Sequence, residues 1–389
     1  MGTFASSNAA VEKHRFEAVD SLRGIAALAV AIFHLQVASH VYGLNFIRNS
    51  FLFVDFFFVL SGFVIAHAYH NKLSNGQQFL EFAIKRIARM WPLHCVMLIC
   101  FVLAETMLFL LSHRMALPLP RPPFTHDRTL IGIPVNLLLI QALVPVPGAG
   151  WNGPSISLSL ELFAYTIFAL TVLFGGKQAG RYQFLILLAG LIALVVQMDD
   201  RARLARCVFS FFMGVGVWRY RDIARRLPAR AFEILSVGTA VALLAFVQKE
   251  YLYIACPIVF SLVVAAITFE KGPVSTVLKH PFLLALGRQS FSIYMVHFFL
   301  AFMLTNAIKV AAKILHLPST VPGTDLVTIA GSPCVMDAIT IGYLAAIVGI
   351  SKFTYDMIEK PGMEFGRKLA IRSRARSTRA SQTPEAGTA

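Results

Sequence analysis

The chain has 389 residues, 57% hydrophobic and only 14% charged, far below the roughly 25% charged residues of soluble domains. With a mean hydropathy of +0.68, this balance excludes a soluble globular protein and leaves a polytopic membrane protein. The net charge of +15 then reports membrane orientation, anionic headgroups or a phosphorylated ligand before it reports nucleic acid, which is not expected as a partner.

Residues 1–16 are polar, so they read as a cytoplasmic N-terminal segment and not as a secretory signal; the apolar run that follows is the first permanent span. A span needs roughly 20 mostly apolar residues. That ruler places ten helices, near 19–39, 51–69, 88–111, 157–174, 183–198, 204–218, 232–248, 251–269, 283–305 and 335–355, in an all-α transmembrane bundle. The apolar segment 129–146, TLIGIPVNLLLIQALVPV, is short and broken by Pro134 and Pro145, and is expected to be re-entrant or to lie at the membrane surface. With that choice most of the Lys and Arg fall on one side, and both termini are cytoplasmic. Residues 112–156, proline-rich from Pro118 to Pro123, form a connection long enough to be functional. The membrane domain covers 17–366, and 367–389 read as a basic, disordered cytoplasmic tail.

Five cysteines without a CxxC pair indicate neither a disulfide framework nor a zinc site. The histidines are scattered, and no metal is expected. There is no repeat of fixed period, which disfavours the common inverted-repeat transporters.

The first helix, VDSLRGIAALAVAIFH, carries Asp20, Arg23 and His34 in an otherwise apolar run. Eleven residues at about 100° each bring Arg23 and His34 onto one face, about 16 Å apart. Toward the same end as Arg23 lie Lys85, Arg86 and Arg89; Arg86 and Arg89 are three apart and share a helix face. Their place near a helix N-terminus would add backbone N–H groups for phosphates, although Lys and Arg flanking a span are also ordinary anchors. At the opposite depth lie His34, Asp55, Glu161 and His297 on four different helices. Each would cost about 2.5 kcal/mol or more if charged and facing lipid, so a shared polar cavity is expected. A histidine there can act as a general base and a carboxylate can orient it. A donor with phosphates at one face and a reactive end reaching inward fits this axis, as an acyl thioester of coenzyme A does. A proton-coupled transporter or exporter of a glycan or small acid needs similar groups, and so could a structural network.

The motifs resemble those of the acyltransferase 3 family of integral-membrane O-acyltransferases over residues 16–366. LRGIAALAVAIFH, FVDFFFVLSGFVI, RIARMWP, LGRQSFSIYMVH and IEKPG match in order. One departure is NGPSISLSLE, which puts Ile156 where the family usually has tryptophan, with Trp151 five residues earlier. The resemblance implies transfer of an acyl group, commonly acetyl, from cytoplasmic acyl-coenzyme A to a hydroxyl of a saccharide or lipid-linked glycan in a bacterial inner membrane. It makes His34 the base on the acceptor, Arg23 a support for the donor, and Asp55 and Glu161 further catalytic groups. Lys85, Arg86 and Arg89 are assigned to the donor, and Asp20, Trp151, Tyr294 and His297 to substrate binding. Some relatives carry an extra extracytoplasmic esterase-like domain, which is not expected after this chain's short tail.

Overall fold

The computed structural model describes residues 16–115, 122–197, 202–247, 249–329 and 331–380. The expected N-terminal segment up to residue 15, Pro118 and Pro120 of the proline-rich stretch, and residues 381–389 of the tail lie outside the described residues. In chain order the helices are α1 (Glu17–Leu35), α2 (His40–Gly43), α3 (Asn45–Arg48), α4 (Phe53–Tyr69), α5 (Gly76–Met115), α6 (Gly132–Leu137), α7 (Ser155–Gly175) and α8 (Ala179–Val196). They continue with α9 (Arg203–Arg219), α10 (Arg221–Ala224), α11 (Ala229–Phe246), α12 (Lys249–Ile267), α13 (Pro273–Leu278), α14 (Pro281–Arg288), α15 (Ser290–Ile314), α16 (Pro333–Thr354) and α17 (Lys360–Ala380). Among the described residues there is no strand, only isolated bridges such as Val37 with Val327.

Among the described residues, seven helical runs are long and apolar enough to cross a membrane, fewer than the ten spans expected. The difference has physical causes. The run Ser155–Val196 divides into α7 and α8 at Gly176, whose φ of 48° breaks the helix. Helix α9 has 17 residues, and the apolar part of α12 is only Leu252–Ile267. Each expected span therefore contains a helix, and the chain is a multi-pass all-α bundle.

Three boundaries differ in ways that matter. The span expected at 283–305 is two helices, broken at Gln289, and both α14 and α15 pack against α1. Segment 129–146 holds a single six-residue helix, α6, about 9 Å long and too short to traverse a hydrocarbon core of about 30 Å. The tail residues 367–380, expected to be disordered, are helical in α17 and pack along α5. Gln77 Nε2 donates to Ser373 Oγ at 3.1 Å, and a Cβ on Gly366 would lie 2.3 Å from that of Ala88. Helix α5, at 40 residues, is about 60 Å long. Its first turns thus extend beyond the bilayer and give α17 something to dock on.

Small residues set the closest crossings. A Cβ on Gly62 of α4 would meet the Phe211 carbonyl oxygen at 1.9 Å, and one on Gly214 of α9 would meet that of Val59 at 1.8 Å. The two backbones are in mutual contact, the arrangement that replaces a hydrophobic driving force between helices in lipid. At the second such crossing, Gly24 of α1 faces Leu286 and Gly287 of α14, while Gly287 faces the Asp20 carbonyl. The buried alanines of α1, from Ala26 through Ala31, keep the rest of that face thin.

Gly214→Ala is expected to destabilise the protein by about 1–3 kcal/mol or more through overpacking. Gly238→Ala, on α11 where a Cβ meets nothing within 4 Å, should be neutral or stabilise by roughly 0.5–1 kcal/mol. Thermal unfolding of both variants in detergent checks the contrast.

Candidate active site

Two cavities lie end to end inside the bundle. The larger, about 900 Å³, is lined by His34, Asp55, Ile156, Arg206 and Tyr294 among others. The smaller, about 120 Å³, is lined by Arg23, Arg86, Arg89, Glu161 and Tyr165. Val54, Phe58, Ser157 and Tyr294 line both, so these four residues form the junction. Ser157 Oγ and the Tyr294 hydroxyl are hydrogen-bonded at 2.9 Å across it. The single shared cavity expected from the four ionisable groups is thus two: His34 and Asp55 face the larger, and Glu161 faces the smaller.

His297 faces neither. It is fully buried behind His34, and its ring is held on both sides. His297 Nδ1 lies 3.2 Å from the Ile293 carbonyl, so it carries the proton and donates. In the neutral ring Nε2 is then an acceptor, and it sits 3.1 Å from His34 Nδ1. His34 Nδ1 also lies 3.1 Å from the Val30 carbonyl. Both neighbours of that nitrogen are acceptors, which puts the proton of neutral His34 on Nδ1 and leaves its Nε2 lone pair available. His297, expected to bind substrate, lines neither cavity and is hydrogen-bonded to His34. The backbone beneath it is tied down as well: the Tyr343 hydroxyl of α16 lies 2.9 Å from the His297 carbonyl and 3.3 Å from that of Ala31.

Asp55, expected beside the histidine, has a different partner. It is fully buried, accepts from Arg206 Nη2 at 2.5 Å and from Ser210 Oγ at 3.3 Å, and joins α4 to α9. The Arg206 guanidinium also lies 4.8 Å from the centre of the Tyr253 ring. In the sequence Arg206 reads as one more basic residue flanking a span, and the only hint of its role is a charge inside the apolar run RLARCVFSFF.

In the smaller cavity, Glu161 accepts short hydrogen bonds from Ser61 and Tyr165. Arg23 pairs with Asp20 at 3.5 Å, and Asp20 itself lines neither cavity. Arg86 lies 5.5 Å from the centre of the Tyr69 ring and keeps a buried Nε without a hydrogen-bond partner. Arg89 reaches Met363 of α17. Helix α5 starts at Gly76, ten residues before Arg86. The arginines are therefore not at a free helix N-terminus, whose field fades within the first turn. Lys85 pairs with Glu81 at 3.7 Å and lines neither cavity, so it is not gathered with the two arginines. Glu359, quoted above only as part of IEKPG, is nearly fully buried, accepts from Ser292 Oγ at 2.9 Å and lies within electrostatic reach of Arg89 and Arg23. It ends a π-helical turn, Tyr355–Glu359, that joins α16 to α17; such turns recur at functional sites.

Trp151 does not substitute for the tryptophan missing at Ile156. It is fully buried and its Nε1 donates to the Thr129 carbonyl at 3.0 Å, anchoring the long connection against Leu98 and Phe101. Ile156 itself lines the larger cavity. Among the described residues, no group of three His, Cys, Asp or Glu comes together as a metal cluster.

Comparison with known proteins agrees with this geometry. Residues 16–336 match the family described as "Acyltransferase domain". The chain is 27% identical over 328 residues to "Acyltransferase MdmB" of Streptomyces mycarofaciens, covering 73% of this chain and 78% of the relative. It is 31% identical over 192 residues to "Protein 2 in picA locus" of Rhizobium radiobacter, covering 47% of this chain and 94% of the relative. No solved structure matches. With the match spanning most of the bundle and both cavities inside it, the chain belongs to the acyltransferase 3 family and is a multi-pass membrane acyltransferase.

Proposed function

We propose that this acyltransferase moves an acyl group, acetyl in the first instance, from acyl-coenzyme A to a hydroxyl of a saccharide or lipid-linked glycan. The observation that carries the reading is the junction: a narrow arginine-lined pocket and a wide histidine-lined cavity share Ser157 and Tyr294. A thin pantetheine arm suits the narrow pocket, with Arg23, Arg86 and Arg89 set to meet anionic groups, for which the arginine fork is well shaped. A bulkier acceptor suits the wide cavity. The excess of Lys and Arg at the Arg23 end supports a topology in which that end faces the cytoplasm, in a bacterial inner membrane, with both termini on the same side.

In this scheme His34 Nε2 takes the proton of the acceptor hydroxyl as its oxygen attacks the thioester carbonyl. An O–C bond forms and the C–S bond breaks. The proton on His34 passes to the departing sulfur, giving an ester and free coenzyme A. His297 holds the His34 ring in the reactive tautomer and accepts from its Nδ1–H while the ring is charged. The Tyr294 and Ser157 hydroxyls, bonded to each other at the junction, are the donors positioned nearest the path of the acyl group.

His34→Ala should lower kcat by roughly 10²–10⁴-fold, the usual worth of a general base, while coenzyme A still binds; acyl transfer by purified protein in nanodiscs, with coenzyme A titrated in parallel, measures both. Arg86→Ala combined with Arg89→Ala should raise the donor KM roughly 10- to 100-fold, one or two lost charge-assisted hydrogen bonds, and leave the remaining binding more sensitive to salt. His297→Phe keeps an aromatic ring but removes the acceptor. Because Val30 still holds the His34 proton, kcat should fall only about 10-fold, within the range for a misplaced catalytic group, with the donor KM unchanged. A change in KM alone would refute the orienting role.

A further inference from the structure

Among the described residues, the lining of the larger cavity is unbalanced in charge: three arginines, Arg48, Arg203 and Arg206, stand with one carboxylate, Asp55. Asp55 is committed to Arg206 through a bond of 2.5 Å. Arg48 and Arg203 have no ion-pair partner among the described residues and are exposed at the cavity's lining. Arg206 is only 8% exposed and keeps a buried Nε with no hydrogen-bond partner, so even the paired guanidinium is incompletely satisfied. Protonation of His34 during turnover would add a further positive charge to the same wall.

Such a concentration of cations raises the local concentration of anions, and the arginine fork matches phosphate and carboxylate oxygens in particular. The remaining wall is aromatic and aliphatic, with Phe33, Phe51, Phe58 and Phe298 contributing. Phe246, at the end of α11, lines the cavity yet is 86% exposed, which puts an apolar rim at the opening.

We infer that the acceptor is anionic: a hydroxyl-bearing saccharide carrying a phosphate or carboxylate, held by Arg48 and Arg203 while its hydroxyl meets His34. This rests on the reading that the larger cavity takes the acceptor. The same anionic chemistry comes either from a soluble acidic sugar or from the phosphate of a lipid-linked one, whose chain would lie along the Phe246 rim.

The test titrates full-length protein in nanodiscs with glucose 1-phosphate, glucuronate, decaprenyl-phosphoryl glucose, and the uncharged glucose and octyl glucoside, with coenzyme A titrated in parallel. The charged probes should bind at least roughly tenfold more tightly than their uncharged counterparts, and the preference should shrink as salt rises above physiological strength. Arg48→Gln combined with Arg203→Gln should erase the preference without altering coenzyme A affinity, and Arg48→Lys with Arg203→Lys should restore part of it. Both arginines are exposed, so these variants should fold. Tighter binding of the decaprenyl compound than of glucose 1-phosphate identifies a lipid-linked source; equal binding identifies a soluble one. Equal affinity for charged and uncharged probes, or no binding of any charged probe, overturns the inference. Failure of coenzyme A to bind wild-type protein would instead count against the donor assignment, which the acceptor titrations do not depend on.

Discussion

The hydrogen bond between His34 and His297 depends on how closely α1 can approach the α14–α15 pair. Gly24 and Gly287 supply that approach, since a Cβ at either position would overlap the facing backbone. The break at Gln289 falls between α14 and α15, both of which pack against α1. Three helices then converge where Tyr343 meets the carbonyls of Ala31 and His297. The orientation of His34 is thereby set by packing well away from its ring, which is what the proposed role as a base requires.

The same bundle shows how an apolar interior accommodates ionisable groups. Asp55 has Arg206 and Ser210, Glu161 has Ser61 and Tyr165, and Glu359 has Ser292 with Arg89 and Arg23 nearby. A buried charge without such partners would cost several kcal/mol. Each carboxylate also ties two or more helices together, so the polar network and the helix packing are one arrangement. Where cations have no such partner among the described residues, as at Arg48 and Arg203, they lie on a cavity wall and face whatever enters.

A site divided between two cavities separates two problems that a single pocket would have to solve together. Under the proposed function the narrow cavity selects for charge and thinness and the wide one takes the acceptor, with Tyr294 and Ser157 between them. Ile156 lines the wide side and not the arginine side.

The sequence by itself determined the membrane class, the helical content and the positions of the apolar helices, because a run of apolar residues must bury its backbone polar groups internally wherever it folds. It also picked out His34, Asp55 and Glu161 as cavity residues, since charge inside such a run is costly enough to stand out, and Arg23, Arg86 and Arg89 as basic groups at the other end. Only the tertiary structure decided the partners. Asp55 and Arg206 lie 151 residues apart and His34 and His297 lie 263 apart; helix rotation and crossing angle bring them together, and neither is written in local periodicity. The same holds for Trp151, which turns into a packed cluster, and for α17, whose basic composition suggests disorder until α5 offers it a long helix to pack along.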